Sequence, residues 1–265
     1  MLQPPFDICE SRICIFTKVK ISIITACYNS SDTIRATIES VIGQDYPETE
    51  YIVIDGGSSD NTLKIAGEYS SRISRIVSEK DEGIYYALNK GIALATGDVI
   101  GILHSDDIYT DVTVLSRVAQ QLSNEKCDAV YGDLQYVDRS DISKVIRNWK
   151  SGQYHRGMFV KGWMPPHPTL FLRKSCYDKF GSFNTSFRTA ADYELMLRMI
   201  HKHEIQVAYL PAVLVKMRVG GVSNVSLMNR IKANREDRRA WIVNDLKPGL
   251  FTLFRKPLSK IGQYF

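Results

Sequence analysis

The sequence predicts an α/β fold: a Rossmann-like, mostly parallel central sheet flanked by helices. Three observations carry that prediction. From Val19 to Leu103, short apolar runs alternate with segments whose apolar residues recur at helical spacing, and such strand–helix repetition implies a parallel sheet with right-handed crossovers. The runs are nearly continuous, as in strands buried on both faces. Polar clusters follow the runs, and in open α/β sheets ligands bind beyond the carboxyl ends of the strands.

Each element has a local reason. Ile21–Ala26 (ISIITA) reads as the first strand, and Ser31 and Asp32 are placed to cap a helix carrying Ile34, Ile38, Val41 and Ile42. Tyr51–Asp55 (YIVID) is the second strand, GGSSD its turn, and Asp60 the cap of a helix with Leu63, Ile65 and Ala66. Ile73–Val77 is the third strand, followed by the loop SEKDEG and a helix presenting Ile84, Leu88 and Ile92 on one face. The fourth run, Val99–Leu103, delivers the adjacent carboxylates Asp106 and Asp107. Alternation then weakens. A helix is expected from Asp111 to Leu122, sheet at Ala129–Val137, an aromatic loop at Gly152–Pro168, a helix at Arg188–His203 and a last strand at Val207–Leu210.

Composition bounds the answer. The chain has 265 residues, 44% hydrophobic and 24% charged, enough for one large α/β domain plus a tail or for two small domains. No apolar run reaches the roughly 18 residues of a transmembrane helix. The net charge of +5 suits an anionic small ligand or an acidic membrane face, and falls short of a dedicated nucleic-acid footprint. Five scattered cysteines form no CxxC pair, so neither a zinc site nor a disulfide framework is indicated and a reducing cytosol is the expected compartment. Residues 1–18 lack the signal-peptide pattern and read as a weakly structured leader, 19–223 as the main domain, and 224–265 as a basic, aromatic helical tail. In that tail Arg235, Arg238, Arg239, Lys247, Arg255, Lys256 and Lys260 interleave with Trp241, Phe251, Phe254, Tyr264 and Phe265. Such a segment either lies on an anionic membrane or docks its aromatics on the domain.

The polar clusters carry the chemistry. Tyr28 and Asn29 follow the first strand, Asp55 to Asp60 the second, Asp81 and Gly83 the third, and His104, Asp106 and Asp107 the fourth. Turn residues are commonly of these types, and Asp106 and Asp107 could simply cap a helix near Thr110. Their convergence on one sheet edge instead describes a nucleotide-diphosphate site. A ring stacks on a base, a carboxylate accepts from base N–H or ribose hydroxyls, and a carboxylate-held cation bridges to a diphosphate. Neither a GxxxxGK[ST] loop nor a GxGxxG turn is present.

In order, SIITACYN, YIVIDGGSSDNT, SEKDEGIYYALNKGIALATGD, LHSDD and ADYELMLRM resemble the glycosyltransferase family 2 enzymes of the GT-A fold, over roughly Val19 to Ser223. The nearest likeness is to bacterial enzymes building surface polysaccharide. The resemblance implies that Tyr28 stacks on the base, that Asp55 contacts it, and that Asp81 lies near the nucleotide or donor sugar. Where the family's metal motif reads Asp-x-Asp, this chain has His104 and Asp106, with Asp107 following. The ion, Mg²⁺ or Mn²⁺, would be held by Asp106 and Asp107, and His104 would meet ribose or phosphate or serve structurally. Asp192 falls at the position of the catalytic base, which also suits an N-cap; Glu194 is the second choice. Arg218 resembles a residue near the diphosphate, and His167 lies in a loop bordering the acceptor.

The expected enzyme is thus an inverting, metal-dependent glycosyltransferase. It would move a sugar from a UDP-, GDP- or dTDP-linked donor to a glycan or lipid-linked glycan at the inner face of a bacterial membrane, without nucleic acid. The alternatives are a nucleotidyltransferase with a similar half-sheet and a non-catalytic nucleotide-sugar-binding subunit.

Overall fold

The computed structural model describes residues 19–124, 126–220 and 227–247; the leader expected at 1–18 and Phe251, Phe254, Arg255, Lys256, Lys260, Tyr264 and Phe265 of the tail lie outside them. The first half alternates as predicted. Strands β1 (Ile21–Cys27), β2 (Thr49–Asp55), β3 (Arg75–Ser78) and β4 (Val99–Ile102) are joined through helices α1 (Ile34–Ile42), α2 (Thr62–Glu68) and α3 (Ile84–Leu94). They pair in parallel in the order β3-β2-β1-β4. Every residue of β1 and β4 is buried, as their unbroken apolar character requires. Register brings Cys27 beside Asp55 and Asp55 beside Ser78, so the loops after β1, β2 and β3 leave the sheet at one level.

Beyond β4 the sheet turns mixed, which corrects the expectation of a mostly parallel one. The remaining strands are β5 (Asp107–Tyr109), β6 (Ala129–Val137), β7 (Val145–Trp149), β8 (Phe171–Arg173) and β9 (Val207–Arg218). The order continues β4-β8-β6-β9-β5, with β7 on the outside of β6. Only β6–β9 is parallel here; β4–β8, β6–β8, β6–β7 and β5–β9 are antiparallel. Gly101 permits the close β4–β8 contact, because a Cβ there would stand 2.7 Å from the Phe171 ring.

Helix α4 (Val114–Asn124) begins where Asp111 accepts from the Thr113 N–H at 2.8 Å. Asp106 and Asp107 therefore cap nothing: Asp107 opens a strand instead. The cap of α1 is also corrected, since Thr33 stands at its N-cap with no side-chain cap bond, whereas Asp60 does meet the Thr62 N–H at 2.9 Å. Helix α5 (Lys174–Phe180) follows β8. The helix expected at Arg188–His203 is α6 (Ala191–Met196), which widens into a π-helical turn over Leu197–Lys202.

Two cores cover the sheet's faces. Helix α7 (Leu227–Val243) contributes Ala240 and Trp241 to one of them. Trp241 is 1% exposed and donates through Nε1 to the Tyr193 hydroxyl at 2.9 Å. Arg239 covers the Phe187 ring and donates to Ser186. Of the two readings of the tail, its described part docks on the domain. No helix among the described residues is long and apolar enough to cross a membrane.

Replacing Trp241 by Ala should therefore cost about 3–5 kcal/mol of stability, as for a large buried aromatic. Urea denaturation measures it, and a loss below about 1 kcal/mol, the scale of a surface change, would show α7 to be only loosely attached.

Candidate active site

The four parallel strands end in loops that are stitched to one another. Asn29 adopts φ +48°, a left-handed turn that Asn tolerates. Its N–H donates to Ser58 Oγ at 2.8 Å and its Oδ1 accepts from the Ser59 N–H at 2.9 Å. The Ser30 N–H reaches Thr62 Oγ1 at 2.7 Å, and the hydroxyls of Ser30 and Ser105 meet at 2.9 Å. On this rim Tyr28 is 64% exposed and its ring lies beside Gly56, as a platform for a flat ligand would.

Asp55 sits beneath the rim, 1% exposed. Its carboxylate accepts from the N–H groups of Gly57 and Ser58 at 3.2 and 3.1 Å, from the Ser58 hydroxyl and from the Ser78 hydroxyl at 2.6 Å. Burial pushes its carboxyl up, but these hydrogen bonds outweigh it and hold Asp55 below the usual range. Asp55 thus braces the loops after β2 and β3, a task the sequence does not announce. Asp81, behind β3, pairs with Lys90 Nζ at 2.8 Å, and its Oδ2 is buried without a hydrogen-bond partner.

The loop after β4 turns His104 inward. Its Nδ1 is buried without a hydrogen-bond partner, and burial lowers its pKa against the opposing pull of Asp106 and Asp192. Those two carboxylates, 86 residues apart in sequence, thus both lie within electrostatic reach of one imidazole. His167 lies 5.9 Å from His104, ring to ring, and packs edge-on to Phe183 at 5.6 Å. Burial, then the neighbouring His104, brings the His167 pKa down to about 3, so the ring is neutral. It is 6% exposed, in the loop that the resemblance sets along the acceptor.

The aspartate pair is split. Asp107 is 0% exposed in β5, opposite Met217. Neither of its oxygens has a hydrogen-bond partner; burial first, then Asp106, pushes its pKa well up, with Arg218 opposing. Burial in β5 thus sets Asp107 apart from Asp106, and both of its oxygens lack a hydrogen-bond partner. Arg218, at the end of β9 and 8% exposed, donates to the Asp106 carbonyl at 2.7 Å and fixes the turn that presents the Asp106 side chain.

Asp192 occupies the first turn of α6. The Tyr85 hydroxyl of α3 faces the main-chain N–H groups of Ala191 and Asp192, and its ring stacks on Phe183 at 5.5 Å. Glu194 is a correction. It is 2% exposed and paired through both oxygens with Arg198, at 2.8 and 3.0 Å, and it accepts from Asn244 at 2.9 Å. Arg198 in turn donates to the carbonyls of Phe180, Gly181 and Ser182. Glu194 therefore belongs to the scaffold and not to the acceptor side.

Among the described residues no group of three or more His, Cys, Asp or Glu could hold a metal. One carboxylate, with diphosphate oxygens and water completing the shell, is nonetheless a sufficient donor set for Mg²⁺-type binding. Asp106 fits that role. Tyr85, Lys90, Ser78 and Phe183 escaped the sequence reading; among them Tyr85, in the first turn of a helix at the site edge, carried the only usable signal.

Comparison with known proteins identifies the family and the fold. The family model described as "Glycosyl transferase family 2" matches residues 22–179. A PGL/p-HBAD biosynthesis glycosyltransferase of Mycobacterium bovis is 29% identical over 211 residues, covering 77% of this chain and 78% of its own. An uncharacterized glycosyltransferase of Mycobacterium tuberculosis is 32% identical over 186 residues, covering 67% and 68%. A poly-beta-1,6-N-acetyl-D-glucosamine synthase of Staphylococcus epidermidis is 29% identical over 207 residues, and the match spans 75% of this chain and half of the synthase. Among solved structures, S. aureus TarS in complex with UDP-GlcNAc superposes with TM-score 0.67 at 18% identity, covering 89% and 69%. The Pyrobaculum calidifontis mannosyltransferase PcManGT, solved with GDP-Man and Mn²⁺, superposes with TM-score 0.65 at 19% identity, covering 90% and 69%. At these identities the two structures establish the fold.

His167 yields a pH test. Its folded pKa lies below the unfolded value of about 6.5, so the unfolded chain gains the proton first and stability falls as pH drops from about 6.5 toward 3. Phe at 167 removes that dependence. The unfolding free energy of His167→Phe relative to wild type should rise steadily between pH 7 and pH 4 in urea titrations; a pH-independent difference would mean that His167 is already solvated and titrates normally.

Proposed function

The chain belongs to glycosyl transferase family 2, is a glycosyltransferase of GT-A fold, and we propose that it is an inverting enzyme using a nucleotide-diphosphate sugar. The observation that carries the proposal is that Asp106 and Asp192 both lie within electrostatic reach of His104, on the edge where the β1, β2 and β4 loops leave the sheet. Inverting transfer needs one carboxylate to take the acceptor's proton as its hydroxyl attacks the anomeric carbon, and a separate means of stabilising the departing diphosphate. Asp192 serves as the base. Asp106 would hold the Mg²⁺ or Mn²⁺, which when bound supplies positive charge to the diphosphate.

The rest of the rim binds the donor. Tyr28 stacks on the base from its exposed position, and the Asp55-braced loop carries the polar groups that line the base and ribose. Asp81 and His104 each retain one buried polar atom without a hydrogen-bond partner, Oδ2 and Nδ1; a sugar or ribose hydroxyl would complete Asp81, and a hydroxyl or phosphate His104. Arg218 contributes by holding the Asp106 turn in place. The relatives named for PGL/p-HBAD biosynthesis and poly-N-acetylglucosamine synthesis support a glycan or lipid-linked glycan acceptor of a bacterial surface. The work is done at the cytoplasmic face of the membrane.

Thermal-shift screening of UDP-, GDP- and dTDP-sugars with Mn²⁺ identifies the donor, since a ligand stabilises only the fold it binds. With that donor, Asp192→Asn should lower kcat by about 10²–10⁴-fold, the span of general-base catalysis, while donor affinity is kept. Full turnover in the variant would remove Asp192 from the role of base. Asp106→Ala should abolish the gain in nucleotide affinity on adding Mn²⁺, read by calorimetry; an unchanged Mn²⁺ dependence would refute the ligand role.

A further inference from the structure

The main chain leading to Asp192 is gripped from two sides. From α7, the Glu236 carboxylate accepts from the N–H of Arg188 at 2.9 Å, the N–H of Thr189 at 2.8 Å and the Thr189 hydroxyl at 2.7 Å, and the Ala190 N–H is turned to it as well. From α3, the Tyr85 hydroxyl faces the N–H groups of Ala191 and Asp192. Glu236 thus takes the main-chain N–H groups of Arg188 and Thr189, the two residues before the N-cap residue Ala190. An anionic carboxylate is the strongest neutral-pH acceptor for them, and it sits at the positive end of α6. Burial favours the neutral form of Glu236, yet the hydrogen bonds from Arg188 and Thr189 outweigh it and keep the group ionised.

Helix α7 is itself firmly held, by Trp241 on Tyr193, Asn244 on Glu194 and Arg239 on Ser186 and Phe187. The grip is therefore rigid. Glu236 and the segment it holds, residues 188–190, lie outside the span matched by the family model, residues 22–179.

We propose that Glu236 is a positioning residue for Asp192: by holding the main chain at 188–190 it fixes the direction in which α6 starts and so aims the Asp192 carboxylate. The inference rests on the reading of Asp192 as base. A displacement of about 1 Å at a catalytic group costs on the order of 100-fold in rate, so the grip is part of what makes the site active.

The test uses the full chain carrying Glu236→Gln, which keeps the size but turns an N–H donor toward the donors of 188–190. Hydrogen exchange followed by mass spectrometry should show faster exchange confined to the 188–192 segment. With whichever of UDP-GlcNAc, GDP-mannose or dTDP-rhamnose the screen selects, kcat should fall about 100-fold while KM for the donor stays within about twofold, the signature of lost transition-state geometry. Wild-type kcat in Glu236→Gln beside an inactive Asp192→Asn overturns the inference; an active Asp192→Asn overturns the base assignment instead. Should Glu236→Gln fail to fold, Thr189→Val removes one hydroxyl donor at constant shape, and its unchanged exchange and kcat would equally overturn the proposal.

Discussion

The constraint on which the rest of this structure depends is the gathering of negative charge at one end of one sheet. Parallel strands β1 to β4 must release their loops at a common edge, and those loops carry Asp55, Asp81, Asp106 and Asp107, with Asp192 arriving from α6. Two like charges about 4 Å apart repel by about 4 kcal/mol at a surface-like effective dielectric, a large part of what a domain of this size has in hand. The chain answers each charge differently. Asp55 is saturated by hydroxyl and main-chain donors, Asp81 is paired with Lys90, and Asp107 is buried until its acid form is favoured. Asp106 and Asp192 remain as the carboxylates whose charge falls on His104.

That division bears on His104, which stands where the resemblance drawn from the sequence leads one to expect an aspartate. A further carboxylate between Asp106 and Asp192 would add a like charge to an already crowded edge. An imidazole adds none in its neutral form, and burial lowers its pKa toward that form. His167 and Phe183 continue from His104 to Tyr85, which faces the start of α6. One continuous row of rings therefore connects the loop that presents the expected metal ligand to the helix that presents the expected base.

The parallel half was legible because doubly buried strands need unbroken apolar runs, and Ile21–Ala26, Tyr51–Asp55 and Val99–Leu103 supply them. The other half was not, for reasons of length and exposure. Strands β5 and β8 have three residues each, too few to show a period, and β7 is an edge strand whose residues are mostly exposed. Asp107 in a strand contradicts its own propensity, and only burial against β9 accounts for it. At the site, the residues at the strand ends could be found from sequence, but their tasks could not. Asp55 as a brace needs Ser78, Glu194 as scaffold needs Arg198 and Asn244, and those partners are set by the fold.

The C-terminal helix shows the same limit most sharply. Its mixture of arginine and aromatics is ambiguous between a membrane surface and a docking face, because both demand cationic and aromatic groups side by side. What decides the described part is which rings find a fitted cavity and a polar partner: Trp241 has the core and the Tyr193 hydroxyl. Once that contact forms, Glu236 is carried to the start of α6 within the same helix, about one and a half turns earlier at 3.6 residues per turn. The main-chain donors it meets would accept any well-placed acceptor, so the sequence around Asp192 holds no trace of the need for one. A helix start near a catalytic group is therefore a place where support comes from whichever element passes by, and in this chain the element that passes is α7.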